Sequence, residues 1–124
     1  IHTVLPDRIE TGTFAMVVAA TGGDVVLQDT KVELLQNALD VLAATGTRVT
    51  PTSTGVRIQR NGGEIEPITV ETQPYPGFPT DLQAQLMALV TRADGASRIR
   101  ETIFENRFMH VQELARLGAE IALD

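Results

Sequence analysis

Hydrophobic positions along the chain fall into short blocks whose spacing switches between helical and alternating. Phe14 to Ala20 is almost wholly apolar, opens behind Thr11-Gly12-Thr13 and stops at Gly22-Gly23, which predicts a helix over about 11–21. Asp24-Val25-Val26-Leu27-Gln28 is short and β-branched, with glycine before it and Asp29-Thr30 after it, so it predicts a strand. Leu34, Leu35, Ala38, Leu39 and Leu42 recur at helical spacing before Gly46, predicting an amphipathic helix over about 31–45. Arg48-Val49-Thr50 and Val56-Arg57-Ile58-Gln59 flank a polar five-residue connection, Pro51 to Gly55, of the kind that joins two antiparallel strands. Asn61-Gly62-Gly63 is a turn. Ile65 to Thr72 reads as a further strand, which Pro67 confines to an edge or a strand start.

The pattern then repeats at an offset of 72 residues, placing Gly23 on Gly95, Gly46 on Gly118, Leu27 on Ile99, Leu42 on Leu114, Val49 on Ile121 and Thr30 on Thr102. A first repeat of about 1–73 and an incomplete second of about 74–124 follow, together forming one domain or part of one. The offset predicts helices over about 80–93 and 105–117 and strands over about 97–100 and 119–123. Positions apolar in both copies are core candidates. Positions that differ are more informative: Asp81 stands where the first copy has Ile9, and Arg107 where it has Leu35. A charge in a frame built for a hydrophobe requires a partner.

A chain of 124 residues with 43% hydrophobic content supports one core, and its apolar runs are too short to span a bilayer. A net charge of −6, with Lys31 as the single lysine, provides no basic patch for nucleic acid, and membrane-surface binding has no support either. Absence of cysteine excludes disulfide and thiolate chemistry within these residues, and His2 and His110 do not make a metal site. The glycine pairs match no dinucleotide or phosphate-loop motif.

Three stretches carry candidate chemistry. Pro74-Tyr75-Pro76-Gly77-Phe78-Pro79-Thr80-Asp81 is a rigid approach to a helix start, where Thr80 and Gln83 have capping-box spacing and Asp81 falls in the first turn. Asp81 is either a helix-start anion or a carboxylate held to position a hydroxyl. Arg107, in Glu105-Asn106-Arg107-Phe108, either pairs with Glu105 or Glu113 on the surface or binds a carboxylate or phosphate with its planar fork. Ile103 and Phe104 are plain core candidates, Asp7-Arg8 a local ion pair, and His110 a packed or surface histidine.

Together with Pro6-Asp7-Arg8-Ile9-Glu10-Thr11-Gly12-Thr13-Phe14, these blocks resemble the enolpyruvyl transferases, in the family's order and along the whole chain. The likeness is greater to members acting on UDP-N-acetylglucosamine than to those acting on shikimate 3-phosphate. Such enzymes are far longer, so the chain reads as a part of one. The resemblance implies an α/β fold of the inside-out type, with mixed sheet outside, helices buried and the second repeat truncated. It implies transfer of the enolpyruvyl group of phosphoenolpyruvate to the 3-hydroxyl of UDP-N-acetylglucosamine in cytoplasmic peptidoglycan synthesis, with no cofactor. It also implies that Asp81 contacts that hydroxyl and is a base candidate, that Ile103 lies against the uracil ring, and that Arg107 helps to bind phosphoenolpyruvate. Phe104 and Arg8 are included as cleft residues. The family's loop cysteine or aspartate belongs to another domain, so the isolated chain is expected to be inactive. The rival reading is a stand-alone, non-catalytic repeat module. An unblunted edge at 119–123 further predicts self-association through that strand.

Overall fold

The structure, a computed structural model, describes residues 4–103 and 108–122. Helix α1 (Arg8–Thr21) starts three residues before the expected 11 because Asp7 caps it, its Oδ1 accepting from the amides of Ile9 (2.9 Å) and Glu10 (3.3 Å). The chain then forms β1 (Gly23–Gln28), a 3₁₀ turn at Val32–Leu34 and helix α2 (Gln36–Ala44). Strands β2 (Arg48–Pro51) and β3 (Gly55–Arg60) make the expected hairpin, closed by the Thr52 amide on the Gly55 carbonyl at 2.9 Å. In the sheet the order is β1-β3-β2, antiparallel throughout, with Leu27 opposite Val56 and Val49 opposite Ile58.

Gly55 is obligatory in this register. A Cβ there would stand 1.9 Å from the Leu27 carbonyl oxygen, which no backbone could tolerate without moving. One face of the sheet is apolar. Val56 and Ile58 point from β3 into a core shared with Ala15, Met16 and Ala19 of α1 and Leu39 and Leu42 of α2. Fully burying side chains of this size contributes about 1.5–3 kcal/mol each. On the opposite face Arg57 forms a two-pronged bond to Asp24 across the ladder.

The second part is built differently. The strand expected over 65–72 shrinks to β4 (Thr69–Glu71), because Pro67 lacks an amide for the ladder, although Ile65 keeps an isolated bridge to Ala93. A 3₁₀ turn, Thr80–Leu82, leads into helix α3 (Gln83–Val90), and β5 (Arg98–Arg100) pairs in parallel with β4. Helix α4 (His110–Arg116) begins later than the expected 105, and 105–107 lie outside the described residues.

Helices α1 and α3 pack together at the centre, where Gln85 Nε2 donates to Thr13 Oγ1 at 3.0 Å. Gly12 permits the approach: a Cβ there would meet Leu82 Cδ1 at 2.6 Å. An antiparallel sheet, a separate parallel strand pair and the buried helices between them give the α/β class that the sequence implied, with neither described sheet itself mixed. The strand expected over 119–123 is not formed over 119–122. Gly118 turns the chain at positive φ and the Ala119 amide returns to the Leu114 carbonyl, ending α4 instead of starting a ladder. Self-association through that stretch therefore has no preformed strand edge at 119–122.

Candidate functional site

The site residues are set by one loop, one turn and the end of one strand. Phe78 is 2% exposed, and its burial anchors the proline-rich loop in the core. The loop closes on itself through the Gly77 amide on Pro74 O (2.8 Å) and the Gln73 amide on Phe78 O (3.0 Å). Pro79, in extended conformation, then caps the 3₁₀ turn that carries Asp81. Asp81 is exposed while its neighbour Leu82 is fully buried, so the turn is fixed from below and presents its carboxylate outward.

The expected Thr80–Gln83 capping box does not form. Thr80 Oγ1 donates instead to Glu101 Oε1 at 2.6 Å, and Gln83 Nε2 reaches the same oxygen at 3.2 Å. Glu101 Oε2 accepts from Thr72 Oγ1 at 2.7 Å and from the Ile103 amide at 3.0 Å. Thr72 in turn accepts from the Thr102 amide at 2.9 Å, while the Thr102 hydroxyl donates to the Thr72 carbonyl. A charged, long-range acceptor has outcompeted a local cap, because hydrogen bonds to an ionised carboxylate are about twice as strong as neutral ones.

The residues flanking Asp81 and the amide of Ile103 are thereby tied to one carboxylate. Arg8 is held separately, its guanidinium 5.4 Å from the centre of the Tyr75 ring in a cation–π contact, so it is not the expected ion-pair partner of Asp7, which is occupied as a helix cap. Phe104 and Arg107 lie outside the described residues. His110 follows in α4, half-buried, and desolvation lowers its pKa below the ordinary imidazole value.

Glu101 was not singled out from the sequence, yet a signal for it exists. An acid-threonine pair closes the strand in both copies, Asp29-Thr30 and Glu101-Thr102, at the 72-residue offset. In the first copy Thr30 Oγ1 instead meets Thr11 Oγ1 at 3.2 Å. A shallow cleft of about 330 Å³ runs beside Asp7, Glu10 and Phe14, but neither Arg8, Asp81 nor Ile103 lines it, and its acidic wall is unsuited to an anionic substrate. Among the described residues no three His, Asp or Glu side chains converge as a metal-binding group, and no helix is long and apolar enough to cross a membrane.

A family model described as EPSP synthase (3-phosphoshikimate 1-carboxyvinyltransferase) matches residues 1–124. The chain belongs to the EPSP synthase family. Within that family it is 72% identical over 123 residues to the UDP-N-acetylglucosamine 1-carboxyvinyltransferase of Methylobacterium sp. (strain 4-46). It is 70% identical over 123 residues to the enzyme of the same name from Afipia carboxidovorans. Each alignment covers 99% of this chain and 29% of the relative, so the chain spans less than a third of the length of the curated relatives it matches. The fold agrees with a crystal structure of the enolpyruvyl transferase NikO from Streptomyces tendae, with a TM-score of 0.85 at 27% identity over 99% of this chain and 29% of that one.

Proposed function

We propose that this chain is a segment of an enzyme that transfers the enolpyruvyl group of phosphoenolpyruvate to the 3-hydroxyl of UDP-N-acetylglucosamine, releasing phosphate by addition and elimination. The observation that carries the reading is identity near 70% to enzymes named for that reaction, extending through the proline-rich loop and the strand-end block.

Asp81 is exposed on a turn whose inner side is anchored by Leu82, which suits a carboxylate that orients a hydroxyl. Ile103, with its amide held by Glu101, is assigned to the uracil ring of the nucleotide sugar, Arg107 to phosphoenolpyruvate, and Phe104 and Arg8 to the substrate cleft. The two-repeat division at about 73/74 describes this wall as half framework and half site. Such a protein works in cytoplasmic cell-wall precursor synthesis. Catalysis needs groups converging from both walls of a cleft, because pre-orientation of both reactants supplies about 7–11 kcal/mol of a typical barrier.

The test is phosphate release with both substrates, using the full-length protein that carries this segment beside the isolated segment. Turnover by the full-length protein and none by the segment supports the reading. Inactivity of the full-length protein on UDP-N-acetylglucosamine, with activity on shikimate 3-phosphate, would replace it by the sister reaction; turnover by the segment alone would refute the one-wall account.

A further inference from the structure

The β4–β5 ladder runs through Thr69–Arg98, Val70–Ile99 and Glu71–Arg100 and closes with the Thr72 amide on the Arg100 carbonyl at 2.9 Å. Beyond that point the Glu101 side chain takes over. Among the described residues its two oxygens accept from four donors on three segments: Thr72 at the end of β4, Thr80 and Gln83 on either side of Asp81, and the amide of Ile103. Thr72 and Gln83 are 0% and 1% exposed, so two of these bonds are made away from solvent, where an acceptor is expensive to lose.

We propose that Glu101 is a positioning residue of the site, tying the Asp81 turn to the Ile103 backbone through its two carboxylate oxygens. This rests on the assignment of Asp81 and Ile103 made above. An ionised carboxylate is suited to the task because it is acceptor-only with about four lone-pair positions, and donors from three segments face it. Backbone pairing cannot substitute, since the ladder has ended and the Asp81 turn lies on a different segment. The distance between Asp81 and Ile103 is therefore governed by a side chain's length and valence. A glutamine of the same size turns half of the acceptor into a donor, so it cannot serve both sides in the present arrangement. An aspartate would be one methylene short.

The experiment uses the full-length protein, with Glu101→Ala, Glu101→Gln, Asp81→Ala and the double Glu101→Ala/Asp81→Ala variants, reading kcat and KM for each substrate together with melting. We expect Glu101→Ala to lower kcat/KM about 10²-fold, the scale of an ångström misplacement, with Glu101→Gln about 10-fold. The KM for the nucleotide sugar should rise and that for phosphoenolpyruvate should not. The double variant should lose much less than the product of the two single losses, because Glu101 acts through a group already removed. Should Glu101→Ala fail to fold, Glu101→Gln and its double with Asp81→Ala provide the same comparison at conserved volume. A folded Glu101 variant with near-normal kinetics, or losses that multiply, overturns the positioning role while leaving the site intact. If Asp81→Ala is itself fully active, the site assignment falls and the Glu101 proposal with it.

Discussion

The two parts of the chain solve the same packing problem with different materials. Residues 23–60 are held by a three-stranded antiparallel ladder over an apolar face, whereas residues 69–103 have two parallel strands of three residues and a polar cluster centred on Glu101. Backbone ladders tolerate changes of side chain; a cluster of side chains does not. The ladder half is thus a framework, and the cluster half is where a single side chain sets geometry.

The comparison is broken most severely by Ile58→Ala. Ile58 is fully buried on the central strand, and removing it should cost about 2–5 kcal/mol, with the whole chain melting earlier. Calorimetry checks this, and a loss under 1 kcal/mol would deny β3 its framework role. Asp81→Ala in the full-length protein should do the reverse, cutting kcat about 10²-fold with melting unchanged. If it melts the protein early instead, Asp81 is structural.

Thr72→Val sharpens the contrast at intermediate size. It removes one donor to Glu101 and the acceptor of the Thr102 amide, an expected cost of about 1–3 kcal/mol. Hydrogen exchange should localise the loss to β4, β5 and the turn at Thr80–Leu82, and loosening that spreads into β1–β3 would contradict the division.

The smallest effects lie in two exposed pairs with opposite pH signs, the Asp24–Arg57 ion pair and the Glu64–Asp94 pair of acids. Hydrogen bonding to Arg57 lowers the Asp24 pKa, so its stabilisation is present above the unfolded-state value and is lost as pH falls through the folded one. A hydrogen bond from Glu64 to Asp94, with charge repulsion from the same residue, raises the Glu64 pKa. That contribution is complete below the unfolded-state value and is lost as pH rises through the raised one, leaving two anions side by side. Glu64→Gln should therefore raise the melting temperature slightly at neutral pH, an advantage that disappears on acidification; Asp24→Asn should lower it slightly at neutral pH only. Melting curves across acid and neutral pH separate them.

The framework was the more legible half, for the same physical reason. Periodicity and glycine punctuation report elements made by local pairing, so β1 and the β2–β3 hairpin emerge near their observed limits; α2 ends as expected but starts at Gln36 instead of about 31, because a 3₁₀ turn at Val32–Leu34 precedes it. Interactions between distant side chains leave no local trace. Thr80 and Gln83 spell a capping box, yet Glu101, 21 and 18 residues away, takes both. A helix start near 11 leaves Asp7 outside the helix as an ion-pair candidate, whereas the observed helix begins at Arg8 and takes Asp7 as its cap. Residues 119–122 have strand composition but no neighbouring strand among the described residues, and composition alone does not make a ladder. The family resemblance pointed to Asp81 and Ile103 without indicating that Glu101 ties the turn of one to the backbone of the other.

The contact between Thr13 and Gln85 also bears on how such a chain acquires its shape during synthesis. At about 5–20 residues per second, the 72 residues separating these positions take roughly 4–14 s to emerge. Throughout that interval α1 has been made and the side chain of Leu82, which Gly12 is shaped to receive, has not. Loop closure over so long a separation is slow, since its entropy must be lost before the contact rewards it. The central helix thus spends seconds with an uncovered apolar surface, and in the cell the crowded interval before α3 arrives is when the nascent chain is most exposed to aggregation and most dependent on chaperones.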